Sequence, residues 1–210
     1  GYNSLINRFF NDFSQSTVFH ITHQYKDSNG NVPGSVTLGG TWVDTHAYPG
    51  RFISDSQLQS EVKRAMKTKH WTSSLQHAFF VFPVASEPIC SDSAGSQCSG
   101  SSFCAYHDTF GNNVIYAAMP DLRCGTPTSP NNNPEAENVI DSGSHELMEA
   151  MTDPLLNAWT SNSLGEIGDP CSTSYPSPNP AYNGGDITGN GHFYMVQEEW
   201  SNAAGGCSLK

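Results

Sequence analysis

Six cysteines constrain this chain more than any other feature of its sequence, because each pair they form restricts the backbone. They lack the paired C-x-x-C spacing of structural zinc sites, and their number is even. We therefore expect three disulfides, an oxidising compartment and a secreted, extracellular protein. The cysteines are Cys90, Cys98, Cys104, Cys124, Cys171 and Cys207.

Six cysteines can pair in many ways, and the sequence leaves those alternatives open. Short loops favour pairing of the first cysteine with the second and of the third with the fourth, which leaves the last two for each other. The predicted arrangement is Cys90 with Cys98, Cys104 with Cys124, and Cys171 with Cys207.

The charge of the chain argues against some classes of ligand. The formal net charge is −11 and Lys and Arg together number nine, so attraction to nucleic acid or to anionic lipid is not expected. Cations are the expected ligands, although acidity also keeps a secreted protein soluble. No apolar run approaches the roughly 18 residues of a membrane span, and the first residue is Gly1. We therefore expect a mature, soluble product without membrane association.

The length of 210 residues is enough for one folding unit to bury its own core, so a single domain and a monomer are predicted. Residues 1–153 are expected to form an N-terminal lobe with most of the regular structure. Residues 154–210 are rich in Gly, Pro, Asn and Ser and predict a C-terminal lobe dominated by loops.

Apolar periodicity predicts three helices and several strands. The helices are expected at residues 5–13, from Ser54 or Asp55 through Met66, and at 135–152, where Pro154 stops the last one. The strands are expected at residues 17–22, 35–43, 77–84, 103–107, 114–119 and 192–196. The run 77–84 is typical of a buried central strand, and the strands on either side of Gly111 are typical of a hairpin at the sheet edge. Gly143 suggests that another element approaches the last helix closely.

The segment with the clearest chemical meaning is residues 145–149, which read His-Glu-Leu-Met-Glu. On a helix His145 and Glu149 lie one turn apart on the same face, so both can point at one metal ion. Glu146 is displaced by about 100° around the axis and can reach a water next to that ion. Asp141, one turn before His145, is placed to orient its imidazole. A charged helical face would also explain this spacing.

A longer pattern resembles the thermolysin-like gluzincins, a family of zinc peptidases. Their helix reads H-E-L-x-H-A-x-T-D, and residues 145–153 here read H-E-L-M-E-A-M-T-D. Their third ligand is a carboxylate in a G-x-I-x-E setting, and Asp169 follows His145 at the same distance, 24 positions, in G-E-I-G-D. The resemblance implies zinc held by His145, Glu149 and Asp169, with Glu146 as the general base.

This chain departs from the gluzincin pattern at two ligands. Glu149 replaces a histidine and Asp169 replaces a glutamate, so the implied set has one nitrogen and two carboxylates. Zinc tolerates such a set, but oxygen-rich coordination makes calcium or manganese an alternative. With calcium, Glu166 becomes a further candidate ligand.

Three more side chains are candidates for the site. Gluzincins use a His and a Tyr to donate to the substrate oxyanion, and the resemblance gives those catalytic roles to His192 and Tyr194. His107, in the predicted hairpin, is a candidate to line the cleft. Each of the three is also compatible with an ordinary surface or packing role.

A second resemblance covers roughly residues 35 to 207. The phrases S-H-E-L-M-E-A-M-T-D-P at 144–154, G-E-I-G-D-P-C at 165–171 and V-Q-E-E-W-S-N at 196–202 are similar to those of the phosphate-induced, or EXORDIUM-like, family and related secreted microbial proteins. That family is extracellular. The resemblance therefore implies secretion and a zincin-like site, without identifying a substrate.

These patterns predict an α+β fold of zincin type, with helices packed on a twisted mixed sheet beside the irregular C-terminal lobe. The predicted function is a secreted zinc endopeptidase acting on protein or peptide, in which Glu146 deprotonates a water that the metal activates.

Two other functions remain open. One is a non-catalytic module with a structural ion, whose cleft binds a cell-wall glycan or protein and uses Trp159 and Trp200 as a platform. The other is a glycoside hydrolase with two carboxyl groups as acid and nucleophile. Its candidate residues are Glu146, Glu149, Glu166 and Asp169.

Overall fold

The structure is a computed structural model that describes residues 1–48, 50–85, 87–120 and 124–210. Its helices are α1 (Tyr2–Asp12), α2 (Asp55–Lys69) and α3 (Pro134–Thr152). Its strands are β1 (Ile53–Ser54), β2 (Ala78–Val81), β3 (Ile89–Cys90), β4 (Tyr106–Phe110), β5 (Val114–Ala118), β6 (Ile187–Gly189), β7 (His192–Tyr194), β8 (Glu199–Ser201) and β9 (Gly206–Ser208). This is an α+β architecture, as predicted.

The central sheet has three strands in the order β2-β5-β4. It is mixed, because β2 is parallel to β5 and β4 is antiparallel to it, and the β4–β5 pair is the predicted hairpin. This strand order corrects the prediction that residues 77–84 form the central strand. The apolar run 77–84 forms an edge strand that is only partly buried, whereas every residue of β5 is buried in the centre.

Strand β5 is buried on both faces because helices lie on both sides of the sheet. Val114 and Tyr116 pack in one cluster with Leu58 of α2, whereas Ala117 belongs to the core shared with α1 and α3. On β4, His107 pairs directly with Ala117, and opposite residues of an antiparallel pair point to the same face. The sheet therefore directs His107 towards α3.

All three predicted helices are present, but the reason expected for Gly143 is wrong. A methyl group at this position would lie 3.8 Å from Met119 Cε and 3.9 Å from Phe10 Cζ, which are ordinary van der Waals distances. No backbone crowds α3 at this point in the described structure. The glycine is therefore not required by close packing.

Two predicted strands are absent. In place of the first strand, residues 18–22 lie in a 3₁₀ helix, Val18–Gln24. The Ser16 hydroxyl, just before this helix, accepts from the Phe19 N–H, and the Thr22 hydroxyl donates to the Phe19 carbonyl. Such local bonds compete with strand pairing. Residues 35–43 have no regular structure, and the Ser14 side chain accepts a hydrogen bond from the Val36 N–H. The apolar alternation of both segments was therefore misleading.

The C-terminal part is irregular, as predicted, and its regular pieces are two short antiparallel pairs, β6–β7 and β8–β9. All three disulfides have the predicted partners: Cys90 with Cys98, Cys104 with Cys124, and Cys171 with Cys207. These three bonds fit an oxidising compartment. Among the residues described, no helix combines the length and apolar character needed to cross a bilayer.

Candidate metal centre

Helix α3 carries most of the residues of the candidate metal centre, and the residues at its beginning favour the start of a helix. The Asn133 side chain accepts a hydrogen bond from Ala136 N at 3.3 Å, and Pro134 occupies the first turn, where its missing N–H costs nothing. The helix continues through Thr152, so His145, Glu146 and Glu149 all lie on regular helix.

The structure brings the three predicted ligands together. His145 Nε2 lies 3.1 Å from Glu149 Oε1 and 3.8 Å from Asp169 Oδ1. One donor atom from each residue lies within 4.8 Å of the other two. Two ligands at about 2.0 Å from a tetrahedral zinc would be about 3.3 Å apart, so modest movements suffice to hold one cation. Glu149 is buried, whereas the Asp169 side chain is half exposed.

The imidazole of His145 is oriented by Gln197 and not, as predicted, by Asp141. Gln197 Nε2 donates to the Gly168 carbonyl at 2.8 Å, which turns Gln197 Oε1 towards His145 Nδ1 at 3.1 Å. Nδ1 must therefore donate, so Nε2, which faces the carboxylates, is the nitrogen that can bind a cation when it gives up its proton. Asp141 acts one step further away, because its Oδ1 accepts from the Gln197 backbone N–H at 2.7 Å.

Two glycines allow the Asp169 loop to approach the helix. A methyl group on Gly168 would lie 2.6 Å from His145 Nδ1, and one on Gly165 would lie 2.0 Å from Asp169 Oδ2. Gly165 also has a φ of +79°, which favours glycine. The Gly168 N–H donates to Glu149 Oε1 at 3.2 Å, so the loop backbone also fixes a ligand.

His107 forms a second polar group with the same helix. Its Nδ1 lies 3.6 Å from Glu146 Oε2 and 3.7 Å from Glu149 Oε2. Its Nε2 lies 3.7 Å from Glu166 Oε1 and donates to the Asp153 carbonyl at 3.2 Å. Donor atoms of His107, Glu149 and Glu166 again lie within 4.8 Å of one another. The sequence suggested His107 only as a cleft residue, yet it lies at the centre of the cluster.

The acidic groups of the cluster are poorly satisfied by the protein. Glu146 Oε2, Glu166 Oε1 and both carboxylate oxygens of Glu199 are buried without a hydrogen-bond partner among the described residues. Buried carboxylate oxygens are normally paired. Unpaired oxygens beside two imidazoles form a donor set that suits zinc or manganese, so the residues fit a divalent cation.

Charge and burial act in opposite directions on the histidines. Burial disfavours protonation of His107, but Glu146 and Glu149 outweigh it and raise the pKa of His107 to about 10. Burial also opposes a charge on His145, whose pKa Glu149 nevertheless raises well above the ordinary value. The metal-free centre therefore holds protons that a bound cation would displace.

The carboxyl groups divide into two classes. Burial raises the pKa of Glu146, and burial together with the charge of Glu149 raises the pKa of Glu166 to about 8. Burial alone would raise the pKa of Glu149 as well, but His145 and His107 lower it below the ordinary value. Glu149 is thus the carboxylate that stays ionised between two imidazoles.

Sequence reasoning missed Gln197 and Glu199. Glu199 is fully buried on β8, and burial raises its pKa well above the ordinary value, with His145 opposing that shift. Both residues belong to the phrase V-Q-E-E-W-S-N, which was used only for the family resemblance. The sequence feature that could have indicated this part of the site is the pair of adjacent acidic residues, Glu198 and Glu199, in a loop-rich segment.

Among the described residues, no hydrogen bond or ion pair connects His192 or Tyr194 to this cluster. His192 Nδ1 lies 2.8 Å from Asp12 Oδ2, and the Tyr194 hydroxyl donates to the same oxygen at 2.6 Å. Arg8 Nε donates to the Tyr194 hydroxyl at 3.0 Å. Their predicted catalytic roles gain no support from these contacts.

A cleft with an apolar lining opens next to Glu166. Tyr25, Trp159, Leu164 and Trp200 contribute to its walls. Trp159 and Leu164 are 42% and 47% exposed, so a ligand in the cleft could contact them. The two tryptophans that the sequence suggested as a platform therefore share one cleft beside the cluster.

Comparisons with known proteins found no match: no family model, curated protein or solved structure is similar to this chain. The resemblances to the gluzincins and to the EXORDIUM-like family therefore stay predictions. His145, Glu149 and Asp169, which belong to both resemblances, nevertheless lie together, because His145 contacts both carboxylates.

Proposed function

We propose that this protein is a secreted metal-dependent hydrolase, most specifically a zinc endopeptidase of zincin-like fold. The convergence of His145, Glu149 and Asp169 on one point, next to Glu146, carries the proposal. The three disulfides support an extracellular location, and a mixed sheet packed against α3 supports the fold.

The ion would be held by His145 Nε2 and by carboxylate oxygens of Glu149 and Asp169. A divalent cation at this point supplies a Lewis acid that polarises a carbonyl group and lowers the pKa of a water molecule. Manganese or calcium would supply the same charge with a stronger preference for oxygen.

Glu146 is the residue suited to accept the proton of the attacking water. Its Oε2 is buried and has no partner within hydrogen-bond distance in the described structure. Burial raises its pKa, which brings the carboxylate closer to the basicity that a general base needs near neutral pH. His107, 3.6 Å away, is placed to stabilise the charge on Glu146.

The cleft beside Glu166 supports a peptide substrate with an apolar side chain. Trp159, Leu164 and Trp200 offer hydrophobic surface, and the half-exposed Asp169 marks the open side of the centre. An aromatic cleft also suits a sugar, so a cell-wall polymer is the alternative substrate.

Glu146→Gln tests the role of the base. We expect kcat/KM for peptide or casein hydrolysis to fall roughly 100- to 10,000-fold, because proton transfer is lost. The metal content measured by elemental analysis should remain that of the wild type. Glu135→Gln is the matched control, since it makes the same change at an exposed position of the same helix.

Loss of the ion in Glu146→Gln would show that Glu146 is a ligand, and unchanged hydrolysis would show that the base is another residue. Either result would overturn the assignment of Glu146.

A non-catalytic, metal-stabilised binding module is the second candidate. Glu146 and Glu166 both lie close enough to His107 to help fill the coordination sphere of a cation, and a closed sphere marks a structural site. Metal-dependent stability without hydrolysis of any peptide in a library would favour this function.

A further inference from the structure

We propose that the centre binds two divalent cations and that Glu149 bridges them. The first position is the one between His145, Glu149 and Asp169, and the second lies between His107, Glu149 and Glu166. The inference rests on the first ion position of the proposed function and does not depend on hydrolysis.

The two oxygens of Glu149 face different imidazoles. Oε1 lies 3.1 Å from His145 Nε2 and accepts the Gly168 N–H, whereas Oε2 lies 3.7 Å from His107 Nδ1. A carboxylate that offers one oxygen to each of two nitrogen donors has the arrangement of a bridging ligand. Two-metal hydrolytic sites place their ions about 3.5–4 Å apart, a spacing that a carboxylate spans.

The hydrogen bond made by His107 Nε2 leaves the other ring nitrogen, Nδ1, available to bind a cation. A backbone carbonyl can only accept, so Nε2 must donate its proton to the Asp153 oxygen 3.2 Å away. Nδ1 is then the nitrogen available for an ion, and it faces Glu146 and Glu149. Metal-bound histidines commonly have their other nitrogen fixed in this way.

An unpaired buried oxygen points independently to a ligand at the second position. The side chain of Glu146 is 4% exposed, and its Oε2 has no hydrogen-bond partner among the described residues although it lies 3.6 Å from His107 Nδ1. Glu166 Oε1 is likewise buried and unpartnered. Glu146 Oε2 lies beside the Nδ1 nitrogen that would hold the second cation, whereas Glu166 Oε1 lies 3.7 Å from the other nitrogen, Nε2.

The charge of the cluster also favours two ions. With neutral imidazoles, the ionised carboxyl groups that border the two positions, Glu146, Glu149, Glu166 and Asp169, carry four negative charges. Glu199 is not counted, because burial raises its pKa well above the ordinary value. One dication would leave two of them uncompensated in a largely buried site, whereas two dications balance all four. Burial of uncompensated charge is costly. Mixed nitrogen and oxygen donors suit Zn²⁺ or Mn²⁺ at both positions.

Manganese titration of the full chain, after treatment with a chelator, tests the proposal by electron paramagnetic resonance. We expect two Mn²⁺ per chain and a spectrum broadened by exchange coupling between two ions that share a ligand. Glu166→Gln should bind one Mn²⁺ and give an uncoupled six-line spectrum. Glu149→Gln should weaken both positions, and Glu135→Gln should behave as the wild type.

One Mn²⁺ per chain in the wild type, with no change in Glu166→Gln, would overturn the second site. Two Mn²⁺ without exchange coupling would overturn the bridge. Because Glu166 is only partly buried, this variant tests the second position with little risk to folding. Hydrolysis with a single bound ion would leave the proposed function intact, so the two failures are distinguishable.

Discussion

Two buried groups of carboxylate and histidine occupy different parts of this molecule, and they are satisfied to very different degrees. Around Asp12, both carboxylate oxygens accept hydrogen bonds, from Asn190 to Oδ1 and from the Tyr194 hydroxyl to Oδ2, and His192 lies 2.8 Å from Oδ2. Around His107 and His145, several carboxylate oxygens have no hydrogen-bond partner in the described structure. The protein itself supplies hydrogen bonds to both carboxylate oxygens of the first group, but it does not do so for every carboxylate oxygen of the second.

The difference teaches how to separate a structural polar network from a binding site. The presence of His, Tyr and Asp is not diagnostic, since the Asp12 group contains all three. Single unpaired oxygens also occur elsewhere, as at Glu137 and Asp186, so the distinguishing feature is several unpaired oxygens beside two imidazoles. A buried acceptor without a donor costs about 1–3 kcal/mol unless a cation or a proton compensates it.

The largest expected effect is the response of stability to metal. At a free Zn²⁺ or Mn²⁺ concentration 100 times Kd, binding should raise the free energy of unfolding by about 2.7 kcal/mol. For a chain of this size the melting temperature should rise by roughly 5–10 °C. Asp12→Asn should keep the whole increase, whereas Glu149→Gln should lose it in differential scanning calorimetry. An undiminished increase in Glu149→Gln would contradict the assignment of the cluster.

The next prediction concerns the same change, from a carboxylate to an amide, made once in each group. In chelator-treated protein, Asp12→Asn should reduce the free energy of unfolding by about 2 kcal/mol, because it removes a charged acceptor that two or three donors share. Glu146→Gln should cost little, because it neutralises a buried carboxyl group with an unpaired oxygen. Urea unfolding measures both values. Equal losses of unfolding free energy in the two variants would contradict the difference in hydrogen bonding between the two groups.

The two groups should also differ in the pH dependence of stability without metal. Burial and Glu149 raise the pKa of Glu166 from 4.5 to about 8, so the folded protein keeps a proton that the unfolded chain has lost. The stability that this group provides therefore falls as pH rises from about 4.5 to 8. Glu166→Gln should flatten the decline in urea unfolding over that range, and an unchanged slope would contradict the shift.

The Asp12 group should show the opposite pH dependence. Burial alone would raise the pKa of Asp12, but hydrogen bonds from Tyr194, Asn190 and His192 lower it below 3.8. Its stabilisation is present above that value and is lost as pH falls through the lowered pKa. Asp12→Asn should therefore remove stability at neutral pH and change little in strong acid.

Features that depend on local spacing were predictable from the sequence. The separation of His145 and Glu149 by one helical turn requires only that α3 form, and Asn133, Pro134 and Pro154 delimit that helix. The disulfide partners followed from short loops. The position of Asp169 beside the helix rested on a resemblance, and the contacts with His145 now support it.

Features that depend on how distant segments pair were not predictable. His107 reaches α3 only because β4 pairs with β5 in a register that places it opposite Ala117. Composition favoured β2 as the central strand, yet the order of the sheet places β5 there. Gln197 replaced Asp141 as the partner of His145 because β8 and the Gly168 loop pack together, which no periodicity reveals.

The disulfide between Cys171 and Cys207 makes the covalent support of this centre depend on a residue close to the end of the sequence. Cys171 closes the short 3₁₀ helix that starts at Asp169, and Cys207 lies on β9, far later in the chain. While the ribosome is still translating the intervening segment, the loop has no covalent tie to its final neighbour. The covalent bond that holds the loop beside α3 can therefore form only after Cys207 has been synthesised, 36 residues after Cys171.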